Sequence, residues 1–322
     1  MFSSTLPERD WVTEMTKTMN SYRGLTARNA KVFLKDKTAI FFSMLTQIII
    51  LGLFLLFIKN SYVDGINDAL GALKDTIDKA DIEALVNSWM ISGVLGTSVI
   101  TATMSALAVM VSDRQEKIDF DLNASSVKGS VIVASYFSGA VICSLITSFF
   151  LLAFGLAFLA ATGTFLLTAT DILMLVGLVL LGSVSATIIL MAIISFFKKD
   201  SSYSAFGVLV STLVGFIVGA YFPVSALGET TQTIVNLVPG AQITGMMREI
   251  LVSPAINNID KALDGLDGGQ FKTTAEQMFC VRLNIFGSEI DTGFMMLYSV
   301  IAIVVFFVLN IVLFRFTSKR KD

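Results

Sequence analysis

The chain has 322 residues, of which 54% are hydrophobic and 15% are charged, and its formal net charge is −2 at pH 7. Ordinary soluble domains carry about 25% charged residues, so this composition excludes a soluble globular protein and indicates a membrane protein. The chain has no histidine and only two cysteines, Cys143 and Cys280, which argues against a transition-metal site and a disulfide framework. We expect no nucleic-acid partner.

Residues 1–38 are predicted to form an amphipathic helix. Thr5 and Glu8 have the spacing of a capping box, in which both side chains satisfy free backbone N–H groups at a helix start. The pattern is typical of a helix that lies in the membrane interface. A solvated helix packed on a partner subunit would show the same pattern. The apolar positions at helical spacing are Trp11, Val12, Met15, Met19 and Tyr22.

Six apolar segments are long enough to cross a bilayer, which requires about 20 predominantly apolar residues. None has a charged residue in its middle, so the ionisable relay typical of proton-coupled transporters is not visible. We therefore predict an all-α polytopic membrane protein with six transmembrane helices. The segments are residues 39–58, 89–111, 131–161, 172–195, 203–222 and 294–316.

The basic residues fall on alternate connections between these segments. Of the 23 Lys and Arg residues, 16 lie in residues 1–38, 112–130, 195–202 and at the C-terminal end. Cytoplasmic loops carry the excess of Lys and Arg. Both termini are therefore predicted to be cytoplasmic, with the chain in the plasma membrane of a bacterium.

The first outer connection, residues 64–86, is predicted to be a helix. Its apolar residues fall on one helical stripe, which must be buried against another part of the protein. The stripe consists of Ile66, Leu70, Leu73 and Ile77.

The connection 112–130 between the second and third spans is densely charged. Ile118, Phe120 and Leu122 interrupt the charges. A short surface helix with this pattern could dock into a soluble partner, but many cytoplasmic loops are charged without binding anything.

Polar and small residues within the spans suggest two further roles. The first is close helix packing through small residues at four-residue intervals. The second is a transport pathway, with interhelical hydrogen bonding as the alternative. The packing candidates are Gly207, Ser211, Gly215 and Gly219, and the pathway candidates are Gln47, Thr97, Thr101 and Asn310.

After residues 39–222, which hold five spans, residues 223–293 form the largest outer region. Two apolar patterns, at about 225–238 and 241–252, follow Pro223 and are separated by Pro239 and Gly240. Each is too short to span, so we predict re-entrant helices, whose backbone must be covered by protein or a wet cavity. Residues 253–292 are predicted to be a small extracellular cap, before the last span and basic tail at 294–322.

Taken together, the chain resembles the membrane subunits of ATP-binding-cassette exporters, the type-2 ABC permease family. The resemblance covers nearly the whole chain and begins with the amphipathic N-terminal helix. Two positions depart from the family pattern, because Ser126 and Gly228 stand where proline is common. The matching residues are Asp113, Arg114, Lys117, Ala124, Ser125, Val127 and Lys128 in the loop, then Phe222, Pro223, Val224, Ser225, Leu227, Asn236, Pro239 and Arg248.

The resemblance implies that this chain forms the membrane pathway and that a separate subunit hydrolyses ATP. Residues 114–124 would be a coupling helix that inserts into a separate ATPase subunit. This chain lacks a phosphate-binding G-x-x-x-x-G-K-[ST] loop, so it is expected to be no enzyme and to bind no cofactor, with ATP and Mg²⁺ held by the partner. A second copy, or a related chain, would complete the membrane core. The coupling residues would be Arg114, Glu116, Lys117, Asp119, Phe120 and Leu122.

The resemblance further implies export of a drug, an antibiotic peptide or a lipid-like compound, and the apolar spans favour hydrophobic or amphipathic cargo such as drugs in multidrug efflux. An ATP-independent channel or carrier is the main alternative. An intramembrane enzyme is disfavoured, because neither H-E-x-x-H nor G-x-S-x-G occurs.

Overall fold

The computed structural model describes residues 8–319 and is 83% helical. Within this range, six helices are long and apolar enough to cross a membrane, which confirms the all-α polytopic class. Thr5 of the predicted capping box lies outside the described residues. The elements are α1 (Glu8–Lys35), α2 (Lys37–Leu53), α3 (Lys59–Leu70), α4 (Lys79–Gln115), α5 (Ile118–Ala124), α6 (Gly129–Ala161), α7 (Ala169–Ile194), α8 (Asp200–Ile217), α9 (Glu229–Asn236), α10 (Pro239–Leu263), α11 (Gln270–Met278), β1 (Leu283–Ile285), β2 (Ser288–Ile290) and α12 (Thr292–Lys319).

The connections divide the molecule into two ends. We call the end that carries α1, α5 and the α7–α8 connection the basic end. The opposite end carries α3, α9, α10, α11 and the antiparallel β1–β2 hairpin, and we call it the cap end. The membrane-length helices run between the two ends, and α4 contacts five of the other long helices, α2, α6, α7, α8 and α10.

Helix α4 is the centre of the bundle. In its most apolar stretch 83% of the residues are buried, against 17% in α8 and 6% in α12. A helix that is hydrophobic all round belongs in the interior. Small residues let its neighbours approach: a Cβ atom placed on Gly96 would overlap the side chain of Thr244 on α10, and one on Gly93 would lie 2.7 Å from Ala220 Cα.

The first span is longer than predicted and the outer helix is divided. Helix α2 continues through a π-helical turn, Phe54–Ile58, into α3. Gly71 then adopts φ +56°, which ends the helix, and a 3₁₀ turn, Gly71–Thr76, follows. Residues 64–86 are thus not one helix, because Asp78 caps a new one by accepting a hydrogen bond from Ala80 N–H.

The fifth span is shorter than the predicted segment 203–222. Helix α8 ends at Ile217 because Gly219 adopts φ +67°, and Ala220 N–H donates to the Gly215 carbonyl at 2.8 Å. Left-handed glycines commonly end helices in this way.

Helix α10 is longer than the predicted segment 241–252. It continues through Pro254 to Leu263, although proline lacks the N–H for the helical hydrogen bond. The apolar positions beyond the proline, Ala255, Ile256 and Ile259, are at most 1% exposed. Burial of these side chains therefore stabilises the helix beyond the proline. Residues 253–263, predicted as the start of the cap, belong to α10.

An aromatic cluster attaches the cap end to the bundle. Trp89 of α4 lies 5.2 Å from Tyr62 of α3 and 5.9 Å from Phe279, measured between ring centroids. Phe54 packs on the same indole at 6.2 Å. A second core cluster, around Phe33 and Tyr136, lies at the basic end. The two clusters hold opposite ends of α4.

Candidate functional site

A buried carboxylate joins three helices at the basic end. Asp113, near the end of α4, has a side chain only 5% exposed. Arg28 of α1 donates to both its oxygens, with Nη2 2.7 Å from Oδ1, and the Tyr136 hydroxyl of α6 donates to Oδ2. Bidentate arginine–carboxylate pairs combine strength with fixed geometry. Hydrogen bonding to Asp113 also raises the pKa of Arg28, so this cation keeps its charge.

Further polar contacts fix α1 along α6. The Tyr22 hydroxyl lies 2.6 Å from Ser138 Oγ, and Asn29 Nδ2 donates to Ser135 Oγ at 3.3 Å. The first half of the same stripe has no such contacts in the described chain, with Trp11, Met15 and Met19 between 53% and 63% exposed. The predicted apolar stripe therefore contacts α6 at Tyr22 and is exposed nearer the start of the helix.

An exposed ion pair links α1 to the start of α6. Lys128 Nζ donates to Glu14 Oε1 at 2.9 Å, and this hydrogen bond lowers the pKa of Glu14. Both side chains are about two-thirds exposed, so the pair contributes little stability compared with the buried Asp113 site.

Arg114 ties α4 to the α7–α8 connection. Its Nη1 donates to the carbonyls of Ile194, Ser195 and Phe197, each at 3.1 Å. The last carbonyls of a helix have no intrahelical partner, so the guanidinium caps α7. The neighbouring side chain of Gln115 accepts from the backbone N–H that begins α8, at 2.8 Å. Arg114, predicted to belong to a coupling helix, is instead held inside the chain at the end of α4.

The remaining predicted coupling residues lie on or beside α5. The helix starts at Ile118, later than predicted, because Lys117 adopts φ +64°. Leu122 is half-buried and packs on the basic-end core cluster, and Asp119 is also half-buried. The surface of this segment is formed by Glu116, Lys117 and Phe120, which are exposed, and we call these three residues the α5 surface.

The small-residue stripe of the fifth span faces its own chain. A Cβ atom on Gly207 would lie 3.7 Å from Met104 of α4, one on Gly215 would overlap the Tyr221 ring, and one on Gly219 would lie 2.9 Å from Val224. Ser211 is half-buried on the same helix.

The other face of α8 is apolar and exposed. Its outward side chains are between 42% and 69% exposed, so this helix is only half covered by the described chain. They are Val208, Leu209, Leu213 and Phe216.

The four predicted pathway residues do not meet in one place. Gln47 of α2 contacts the Thr101 hydroxyl of α4 at 2.7 Å, and Thr97 donates to a carbonyl of its own helix, Val94 O, at 2.9 Å. Asn310 joins α12 to α7 by donating to Ile188 O at 2.9 Å. Gln47 thus joins α2 to α4 and Asn310 joins α12 to α7, whereas Thr97 bonds only within α4, one turn before Thr101.

An apolar cavity that the sequence did not reveal lies between α7 and α8. It has a volume of about 280 Å³, is closed by α4 and α10, and follows α8 from Phe206 to Ile217. Two of its walls, α4 and α10, are distant in sequence from α7 and α8, so the sequence signal is limited to the cluster of small residues Gly182, Ser185 and Ala186 on α7.

At the cap end, the predicted re-entrant segment is built around a buried cation. Arg248 of α10 is 1% exposed. It donates to Ser92 Oγ at 3.3 Å, to Val218 O at 2.8 Å, to Gly219 O at 3.2 Å and to Cys280 O at 3.3 Å. One side chain therefore joins α4, the end of α8 and the cap.

The proline and glycine residues that were predicted to divide this segment each lie at a turn, at a helix start or at a close helix contact. Pro223 is buried immediately before a 3₁₀ turn. Pro239 occupies the first turn of α10, where a missing N–H costs nothing. Gly240 lies against Ile100 of α4, where a Cβ would come within 2.8 Å.

A bundle of six membrane-length helices, with a charged surface segment fixed to the helix ends by buried ion pairing, defines a polytopic membrane protein. A family model described as ABC-2 family transporter protein matches residues 73–314, about three quarters of the chain. The chain therefore belongs to the ABC-2 transporter family, which confirms the resemblance to ABC permeases. Members are membrane transport subunits, typically not catalytic themselves, and the family implies an ATPase partner. No curated protein sequence matches the chain.

Proposed function

We propose that this permease is the membrane half of an ATP-driven exporter of hydrophobic or amphipathic compounds, with both termini in the cytoplasm. A drug, an antibiotic peptide or a lipid-like molecule would be its cargo. The observation that carries the proposal is that the end of α4, directly before the α5 surface, is fixed to three parts of the bundle. Asp113 connects it to α1 and α6, and Arg114 connects it to the α7–α8 connection.

The α5 surface is the part that docks into the ATPase subunit. Glu116 and Lys117 offer charges of both signs, and Phe120, 57% exposed, offers an aromatic anchor of the kind that is enriched at interfaces. When ATP closes the ATPase subunits, they displace this segment. The displacement passes through the Arg114 guanidinium to the start of α8, because this side chain donates hydrogen bonds to the α7–α8 connection, which directly precedes α8.

Helix α8 forms one wall of the apolar cavity, so its movement changes the space between α7 and α8. A cavity lined by aliphatic and aromatic side chains favours hydrophobic cargo, since a charge would lose its hydration there without a partner. The chemistry of the walls supports this cargo class.

A second copy, or a related chain, covers the exposed face of α8. An apolar helix face within a membrane is covered either by lipid or by another helix. The four exposed side chains of α8 adjoin the wall of the cavity, so a partner seated there would enclose the cavity from the open side.

Charge reversal on the α5 surface tests the coupling role. We expect Glu116→Lys/Lys117→Glu combined with Phe120→Ala to abolish stimulation of the ATPase by cargo and to reduce ATP-dependent transport in vesicles. Lys74→Glu/Asp75→Lys is the matched control, because both residues are exposed at the cap end. Unchanged stimulation in the α5 variant would remove the basis of the proposal.

A further inference from the structure

A second apolar cleft lies away from the α7–α8 cavity, on the outside of the bundle. It has a volume of about 510 Å³ and is formed by α6, α7 and α12 at their basic-end halves. The wall on α6 is one helical stripe that includes Val133, Ala134 and Phe137, while Met191 of α7 and Phe307 of α12 lie opposite. All three helices are membrane spans, so this cleft opens toward the hydrocarbon of one leaflet.

Two polar side chains line the cleft, the exposed Ser130 and the half-buried Asn310, and the Asn310 amide has unused bonding capacity. Asn310 Nδ2 donates one hydrogen to Ile188 O at 2.9 Å and the other to Phe306 O at 2.8 Å. Both N–H groups are thereby used, and the amide orientation is fixed. Among the described residues no donor reaches Oδ1, which leaves an acceptor in an apolar cleft where water is scarce. The Asn310 side chain is half-buried, and a hydrogen-bond acceptor is costly to leave unpaired away from water.

No charged side chain lines the cleft within the described residues. A charged ligand would therefore lose its hydration without compensation, and a pure hydrocarbon would leave the amide oxygen unpaired. A neutral amphiphile with a hydrocarbon body and a hydroxyl or amide N–H satisfies both conditions. The volume lies within the range of about 300–1,000 Å³ that is usual for small-molecule sites.

We propose that this cleft binds a neutral, hydroxyl-bearing amphiphile dissolved in the leaflet at the basic end, with its hydrocarbon chain between α6 and α12 and its hydroxyl donating to Asn310 Oδ1. The site is distinct from the α7–α8 cavity. It requires only that the helices span a bilayer, so it stands independently of ATP-driven export.

Photolabelling locates the site directly. The purified chain in lipid nanodiscs is irradiated with a long-chain alcohol that carries a diazirine and an alkyne, and with the methyl ether of the same alcohol. Labelled peptides are then identified by mass spectrometry. We expect the alcohol to label peptides from the start of α6 and the second half of α12, about tenfold more than the ether, as one hydrogen bond of about 1.4 kcal/mol predicts.

Three variants separate the site from non-specific labelling. Ala134→Trp fills the cleft and should abolish both labels, whereas Ala157→Trp, at an exposed position of the same helix, should not. Asn310→Leu should bring the alcohol down to the level of the ether. Equal labelling by alcohol and ether in the unmodified protein, or labelling that survives Ala134→Trp, would overturn the proposal and leave only bulk lipid at this surface.

Discussion

The Arg28–Asp113 pair makes the sharpest prediction about how the basic end is held together. In Arg28→Met, the Asp113 carboxylate loses both guanidinium hydrogen bonds and keeps only that of Tyr136, while its side chain remains 5% exposed. Removing one partner of a buried ion pair costs about 3–5 kcal/mol. Because Arg28 itself is 34% exposed and water replaces part of its interaction, we expect about 3 kcal/mol.

If the Asp113 carboxylate of Arg28→Met is a buried charge without a partner, then neutralising Asp113 should restore part of the lost stability. We expect Arg28→Met/Asp113→Asn to be more stable than Arg28→Met alone, since the amide is easier to bury than the carboxylate. The free energy of unfolding is measured by denaturant titration in mixed micelles. Release of α1 is followed in parallel by limited proteolysis, because α1 is one of the two helices that this carboxylate holds to α4.

Glu14→Gln is the control, because it breaks only the exposed pair with Lys128 and should leave the free energy of unfolding nearly unchanged. If Arg28→Met destabilises the protein no more than Glu14→Gln does, the buried pair does not hold the basic end together. A double variant less stable than Arg28→Met would contradict the prediction equally, because no buried charge would then have been relieved.

Two further substitutions test the contacts of α4. Gly96→Ala should destabilise the protein by about 1–3 kcal/mol, because the added Cβ overlaps Thr244. Gly177→Ala is the control and should not destabilise the protein, because the space around a Cβ at this position is open. Thermal unfolding in detergent measures both effects. Arg114→Ala should speed amide hydrogen exchange in residues 195–200 and lower ATP-dependent transport without loss of the folded protein. Normal transport together with faster exchange would mean that this link holds the connection but transmits no movement.

The spans were predictable because each is a local apolar run, whereas several helix ends depended on features outside the run. Gly219 ended α8 early by its left-handed conformation, and burial of Ile256 and Ile259 extended α10 past Pro254. Neither effect appears in hydropathy alone, because one is a backbone conformation and the other a tertiary contact.

The candidate site was predictable in its residue types but not in its pairing. The charges around residue 114 were visible, yet the partner of Asp113 is 85 positions away and that of Arg114 is about 80 away. Sequence spacing within one helix cannot reveal such pairs. The α7–α8 cavity was missed for the same reason, since α4, α7, α8 and α10 meet only in the folded chain.

The decisive measurement is transport by vesicles reconstituted with this chain, with and without an ATPase subunit of the kind that the family implies. We expect a neutral hydrophobic dye to accumulate only when both the ATPase and ATP are present. We also expect vesicles with the α5 surface variant to accumulate no dye, although the variant chain inserts normally. Equal accumulation by the chain alone, with no ATPase in the membrane, would contradict the account.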